Sequence, residues 1–66
     1  MRTKAIEAIY AVYCWDGWQR GHIGDFDKRS EAVSIAKEEA RNGCLGDIYY
    51  VERRRDQHLV ADFCAG

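Results

Sequence analysis

Five side chains in this sequence carry the chemistry to hold a metal ion or to pair a nucleophile with a base: Cys14, His22, Cys44, His58 and Cys64. Structural zinc sites take their ligands in closely spaced pairs, because a short knuckle fixes two at once. The five are scattered singly along the chain, with no CxxC pair. Nucleophilic catalysis needs a cysteine or serine beside a histidine base in a shaped pocket, and no local spacing brings Cys44 to His22. Glu31, Glu38 and Glu39 sit in a helical pattern and read as solvated residues. The glycines of GHIG and GCLG match neither a dinucleotide fingerprint nor a phosphate-binding loop. These residues predict a protein without catalytic activity, cofactor or metal.

What remains is the chemistry of binding. Trp15 and Trp18 flank Asp16-Gly17, with Tyr13, Arg20 and His22 at alternating positions on either side. Tryptophan, tyrosine and arginine are the residues most enriched at the energetic centres of protein interfaces. Tyr49 and Arg53 supply the same types further on. The dense basic cluster is Arg53, Arg54 and Arg55, bracketed by Glu52 and Asp56.

The elements that must position these residues follow from local pattern. Residues 5–15, AIEAIYAVYCW, are rich in aromatic and β-branched side chains and read as a long strand, with Ile6, Ala8, Tyr10, Val12 and Cys14 on its core side. Asp-Gly is a strong hairpin signal, so a second strand returns over residues 18–26. A two-residue turn there sets Trp15 opposite Trp18, Tyr13 opposite Arg20 and Ala11 opposite His22, all on one face. The stretch DKRSEAVSIAKEEARNG then carries Ala32, Val33, Ile35, Ala36 and Ala40 on one side of an amphipathic helix, with Asp27 as N-cap and Asn42-Gly43 as a left-handed C-cap. Residues 48–54 and 58–63 form a second hairpin. Ile48, Tyr50, Leu59, Ala61 and Phe63 are assigned to the core; Tyr49, Val51, Arg53, His58 and Val60 are assigned to the opposite face.

The predicted fold is α+β: one domain over residues 1–66, a four-stranded antiparallel sheet of topology β-β-α-β-β and strand order 2-1-3-4, with one helix on one face. That helix is built from small residues and can cover only one side. The other is left with Tyr13, Trp15, Trp18, Arg20, His22, Tyr49 and Arg53 as the expected contacts for another protein. A single-stranded nucleic-acid binder using the same face with Arg53, Arg54 and Arg55 is the alternative, as is a structural homodimer closed by that face.

Composition narrows these readings. At 66 residues the chain has room for one domain, and 47% hydrophobic with 32% charged residues is the balance of a folding chain. Ten Lys+Arg against eleven Asp+Glu leave a net charge of -1, so no global field steers the chain to nucleic acid or an anionic membrane. Three cysteines, an odd number in so short a chain, predict free thiols in a reducing cytoplasm. Two basic residues precede the first apolar stretch, but Glu7 interrupts that stretch and no run reaches a membrane span, so neither a targeting segment nor membrane insertion is expected.

The layout of YAVYCWDGW followed by GDFDKRSEAVSIAKEEARNG resembles the small hairpin-plus-helix proteins common among phage and prophage accessory genes, some of which are anti-CRISPR inhibitors. That resemblance implies a non-catalytic, stoichiometric binder that occludes a surface of a host protein or nucleoprotein complex. It carries over no individual residue.

Overall fold

The computed structural model describes residues 9–65; the expected start of the first strand, with Ile6 and Ala8, lies outside them. Strand β1 (Tyr10–Trp15) is followed by β2 (Arg20–Phe26), helix α1 (Arg29–Asn42), β3 (Ile48–Arg53) and β4 (His58–Cys64). The strands form one antiparallel sheet in the order β2-β1-β3-β4, as the sequence predicts.

The first hairpin turns where Asp16-Gly17 places it, but through residues 16–19 rather than two. The Asp16 carboxylate accepts the backbone N–H groups of Trp18 (2.8 Å) and Gln19 (2.9 Å), and Gly17 supplies the positive φ of 92° that the turn requires. Trp15 therefore pairs with Arg20 and Tyr13 with His22. That register is shifted by an even number of residues from the two-residue turn. Side chains alternate with a period of two, so an even shift keeps Trp15, Tyr13, Arg20 and His22 on their expected face, whereas Ile23, expected on the core side, is displaced into a bulge and is 37% exposed. Trp18 leaves the strand for the loop. Further along, a bulge opposite Val12 and Tyr13 accommodates Ile23.

Helix α1 starts after Lys28, in extended conformation, rather than after Asp27, and no side chain caps it. Ala32, Ala36 and Ala40 form its buried stripe. The C-cap also differs from expectation: Gly43 has φ -86°, and the left-handed glycine is Gly46 (φ 99°) in the following turn. Gly43 is needed for a different reason. A Cβ there would lie 2.5 Å from the Tyr49 hydroxyl, so only glycine lets that ring pack under the end of the helix.

Strand register sorts the sheet into two faces. Toward the helix, three rows run across the strands: Gly21, Cys14, Tyr49 and Phe63; then Gly24, Val12, Val51 and Ala61; then Phe26, Tyr10, Arg53 and His58. The core lies between the first two rows and the alanine stripe, with Val12 and Val51 fully buried and Ala65 closing one end. Each buried valine contributes about 1.5–3 kcal/mol through removal of its surface from water.

This arrangement corrects the second hairpin. Tyr49 and Val51, expected on the open face, lie in the core, and Ile48 and Tyr50, expected in the core, face away from the helix. The run IYYV is apolar at both alternations, so local pattern does not choose between them. Pairing with β1 does: Tyr49 lies beside Cys14, already on the helix side. Arg53 and His58 fall on the helix side by the same register. In β4 the bulge opposite Val51 and Glu52 inserts Val60, which packs against the core, and sends Leu59 to the open face while Ala61 and Phe63 keep the helix face.

Candidate functional site

On the open face three further rows cross all four strands. They are Arg20, Trp15, Ile48 and Cys64; then His22, Tyr13, Tyr50 and Asp62; then Asp25, Ala11, Glu52 and Leu59. The described helix packs on the other side of the sheet, and within these rows Ala11 alone is buried, at 1% exposed.

Tyr13 is the centre of this face. Its ring lies 5.4 Å from that of His22 and 5.5 Å from that of Tyr50, both tilted, distances at which aromatic pairs attract beyond their burial. The Arg20 guanidinium sits 4.3 Å above the Tyr13 centroid, a cation–π contact. A hydrogen bond with Tyr50 is the first cause raising the Arg20 pKa above its ordinary value, and Glu52 at 3.9 Å adds to it. Arg20 is thus held over Tyr13 by groups from two other strands. His22 Nε2 is 2.8 Å from Asp25 Oδ1, and Arg54 Nη1 donates to the other oxygen of Asp25 at 3.4 Å.

Beside this ordered centre lie large side chains in contact with water. Trp15 is 40% exposed at the end of β1, and Trp18, in the loop, is 84% exposed. A tryptophan with so little burial adds almost nothing to fold stability. Leu59 is also exposed at the far edge.

Of the expected contact residues, the structure brings Tyr13, Trp15, Arg20 and His22 together on this face and leaves Trp18 at its end. Tyr49 and Arg53 do not belong to it. Tyr49 is 8% exposed beneath the helix, where a hydrogen bond with the Cys14 thiol and burial push its pKa up to about 12. Arg53 is held by Asp56 through two hydrogen bonds of 3.1 and 2.9 Å, which depress the Asp56 pKa to about 2. Arg54 turns to Asp25 and Arg55 lies in the turn, so the basic triplet does not form one continuous surface. The residues that sequence reasoning missed are Tyr50, Ile48, Glu52 and Asp25. One signal for them was present: Glu52, a charge in the middle of the second hairpin, alternates with Tyr50 and Ile48 and favours that set for the solvated side.

The metal and nucleophile candidates are likewise dispersed. Cys14 faces the helix, Cys44 lies in the turn after α1 and Cys64 ends the open face; all three thiols are free. No group of three or more potential metal ligands occurs among the described residues. No described helix is long and apolar enough to cross a membrane. No protein family, no curated protein and no solved structure matches this chain.

Proposed function

We propose that this protein is a small, non-enzymatic interaction module that binds another protein through the open face of its sheet. The observation that supports this reading most is the combination, on the sheet face that the described helix leaves open, of a pre-ordered Arg20–Tyr13–Tyr50 centre with the exposed rings of Trp15 and Trp18. Ordering before binding lowers the entropy cost of association, and large rings already in water gain most from being covered. The contact set is Tyr13, Trp15, Trp18, Arg20, His22 and Tyr50.

The resemblance in layout to phage accessory proteins extends this proposal to a stoichiometric inhibitor of the anti-CRISPR kind, occluding a surface of a host protein or nucleoprotein complex. Free thiols support action in a reducing cytoplasm. The nucleic-acid alternative draws less support from the geometry, because Arg53 and Arg54 are engaged by Asp56 and Asp25 and Arg53 lies on the opposite side of the sheet from Tyr13.

One observation favours a second copy of this chain as occupant. The β2 side of the face carries Arg20 and His22 together with Asp25, and the β3–β4 side carries Glu52 and Asp62 with no cation. A twofold axis along the strands sets β2 over β4, with His22 facing Asp62 and Trp15 facing Ile48 of the other copy.

Photo-crosslinking tests these readings. A benzophenone side chain at position 15 or 18, in cells that carry the protein, is expected to capture one discrete protein, and the same group at Ser34 on the helix's exposed side is not. A captured second copy of this chain selects the homodimer. Equal capture from position 34, or none from 15 and 18, overturns the proposal.

A further inference from the structure

Away from the open face, at the end of the sheet where α1 begins, Tyr10, Arg53, His58 and Val60 border a groove of about 240 Å³ with Arg29 and Leu59. The polar residues that border it are Arg29, Arg53, His58 and Tyr10, with no acidic residue among them. Arginine offers only donors. Arg53 commits Nε and one Nη2 hydrogen to Asp56, which leaves Nη1 uncommitted. Arg29, Tyr10 and the His58 ring make no side-chain hydrogen bond or ion pair with the described residues. Donors therefore outnumber acceptors around a concave surface, and an oxyanion is the ligand chemistry that restores the balance.

We propose that this groove binds a phosphate monoester, with Arg29 and Arg53 donating to its oxygens. Two guanidinium groups suit a dianion with three terminal oxygens better than a carboxylate with two. The volume exceeds what a phosphate alone fills, and Leu59 and Val60 offer a wall for the apolar group esterified to it. Asp56 competes for Arg53 and sets how strongly the groove holds the ligand. The site lies mainly on the helix side of the sheet and does not depend on the open-face reading above.

The test is a titration of the full chain, by amide chemical shift at constant ionic strength, with inorganic phosphate and with phenyl phosphate. Saturable shifts centred on residues 53 and 58–60 are expected, with phenyl phosphate binding several-fold more tightly than inorganic phosphate. Arg29→Gln, at an exposed position in the first turn of α1, should weaken binding by roughly fivefold through loss of one charge-assisted contact partly screened by solvent. Asp56→Asn frees Arg53 and should tighten it. Arg41→Gln removes an equal charge from the other end of the helix and should change nothing. Shifts that fail to saturate, or an Arg41→Gln loss equal to that of Arg29→Gln, reduce the effect to general charge and overturn the proposal. Tighter binding of a mixed oligonucleotide than of either monoester overturns it in favour of a phosphodiester.

Discussion

Gly43→Ala tests the placement of Tyr49, on which the whole assignment of faces rests. At an ordinary helix end this substitution stabilises by about 0.4–1 kcal/mol, because alanine restricts the unfolded chain. Gly43 has φ -86°, which alanine adopts without strain, so the backbone gives no reason for a loss. The Tyr49 ring does. The new methyl would lie 2.5 Å from its hydroxyl oxygen and 2.7 and 2.9 Å from two ring carbons, well inside the 3.4 Å at which ordinary contact begins. Relief requires moving either the end of α1 or a ring that is 8% exposed and packed beside Cys14. Overpacking of this kind costs about 1–3 kcal/mol, so a net destabilisation of about 1–2 kcal/mol is expected. In a domain this small that lowers the thermal midpoint by roughly 5–15 °C, measurable by circular dichroism. The control is Tyr49→Leu, whose side chain lacks all three clashing atoms. In that background Gly43→Ala should become neutral or stabilising, giving a coupling of at least about 1 kcal/mol in a double-mutant cycle. A Gly43→Ala protein as stable as the parent would return Tyr49 to the open face and undo the assignment.

Two pH dependences follow from the same packing. Tyr49 holds its proton to about 12, whereas an unfolded tyrosine ionises near 10, so the stability it contributes is intact below pH 10 and is lost as pH rises from about 10 to 12. Urea midpoints across that range should fall, less steeply for Tyr49→Phe, and absorbance at 295 nm should show a late titration that Tyr49→Phe removes. At the acid end, Asp56 titrates at about 2 because Arg53 holds its carboxylate, against about 3.9 when unfolded. Its contribution, present above pH 4, is lost as pH falls to about 2, and Asp56→Asn should flatten that part of the stability profile without lowering stability much at neutral pH, where solvent screens the pair.

Most of the architecture was legible because its determinants are local. The alternation in YAVYCW, the Asp-Gly turn and the 3.6-residue alanine stripe each specify one element, and strand order follows from the need to close four antiparallel strands without crossing connections. The turn is two residues longer than Asp-Gly alone implies, and because that difference is even, the faces of the first hairpin hold from the turn to His22, beyond which the bulge at Ile23 reverses the phase of β2. The second hairpin had no such protection. Its alternation is apolar on both sides, and what selects Tyr49 for the core is contact with Gly43 and Cys14, the latter far away in sequence. The bulge at Val60 then reverses the phase within β4, which no periodic reading anticipates. Half of the candidate face was therefore visible in the sequence and half was exchanged for its mirror set.

The size of the open face bears on what covers it. Four strands about 4.8 Å apart, crossed by three rows, span a projected patch of roughly 300–400 Å². A twofold dimer built on that patch alone falls below the roughly 1,200 Å² at which standard specific interfaces begin, even after allowance for the relief of the side chains. It also leaves Trp18 unused, since the 16–19 loop extends past the row containing Trp15 and Ile48. Trp18 is the more costly ring to leave in water, at 84% exposed against 40% for Trp15. A larger partner that continues beyond the end of the sheet covers both rings and reaches standard size. The charges agree with this: Arg20, His22 and Asp25 on the β2 side are already engaged within the chain, so they offer a polar rim that need not be stripped of its own partners. Apolar anchors at one end and a pre-satisfied rim along the side fit a separate target better than a second copy, whose match depends on trading those internal pairs for external ones.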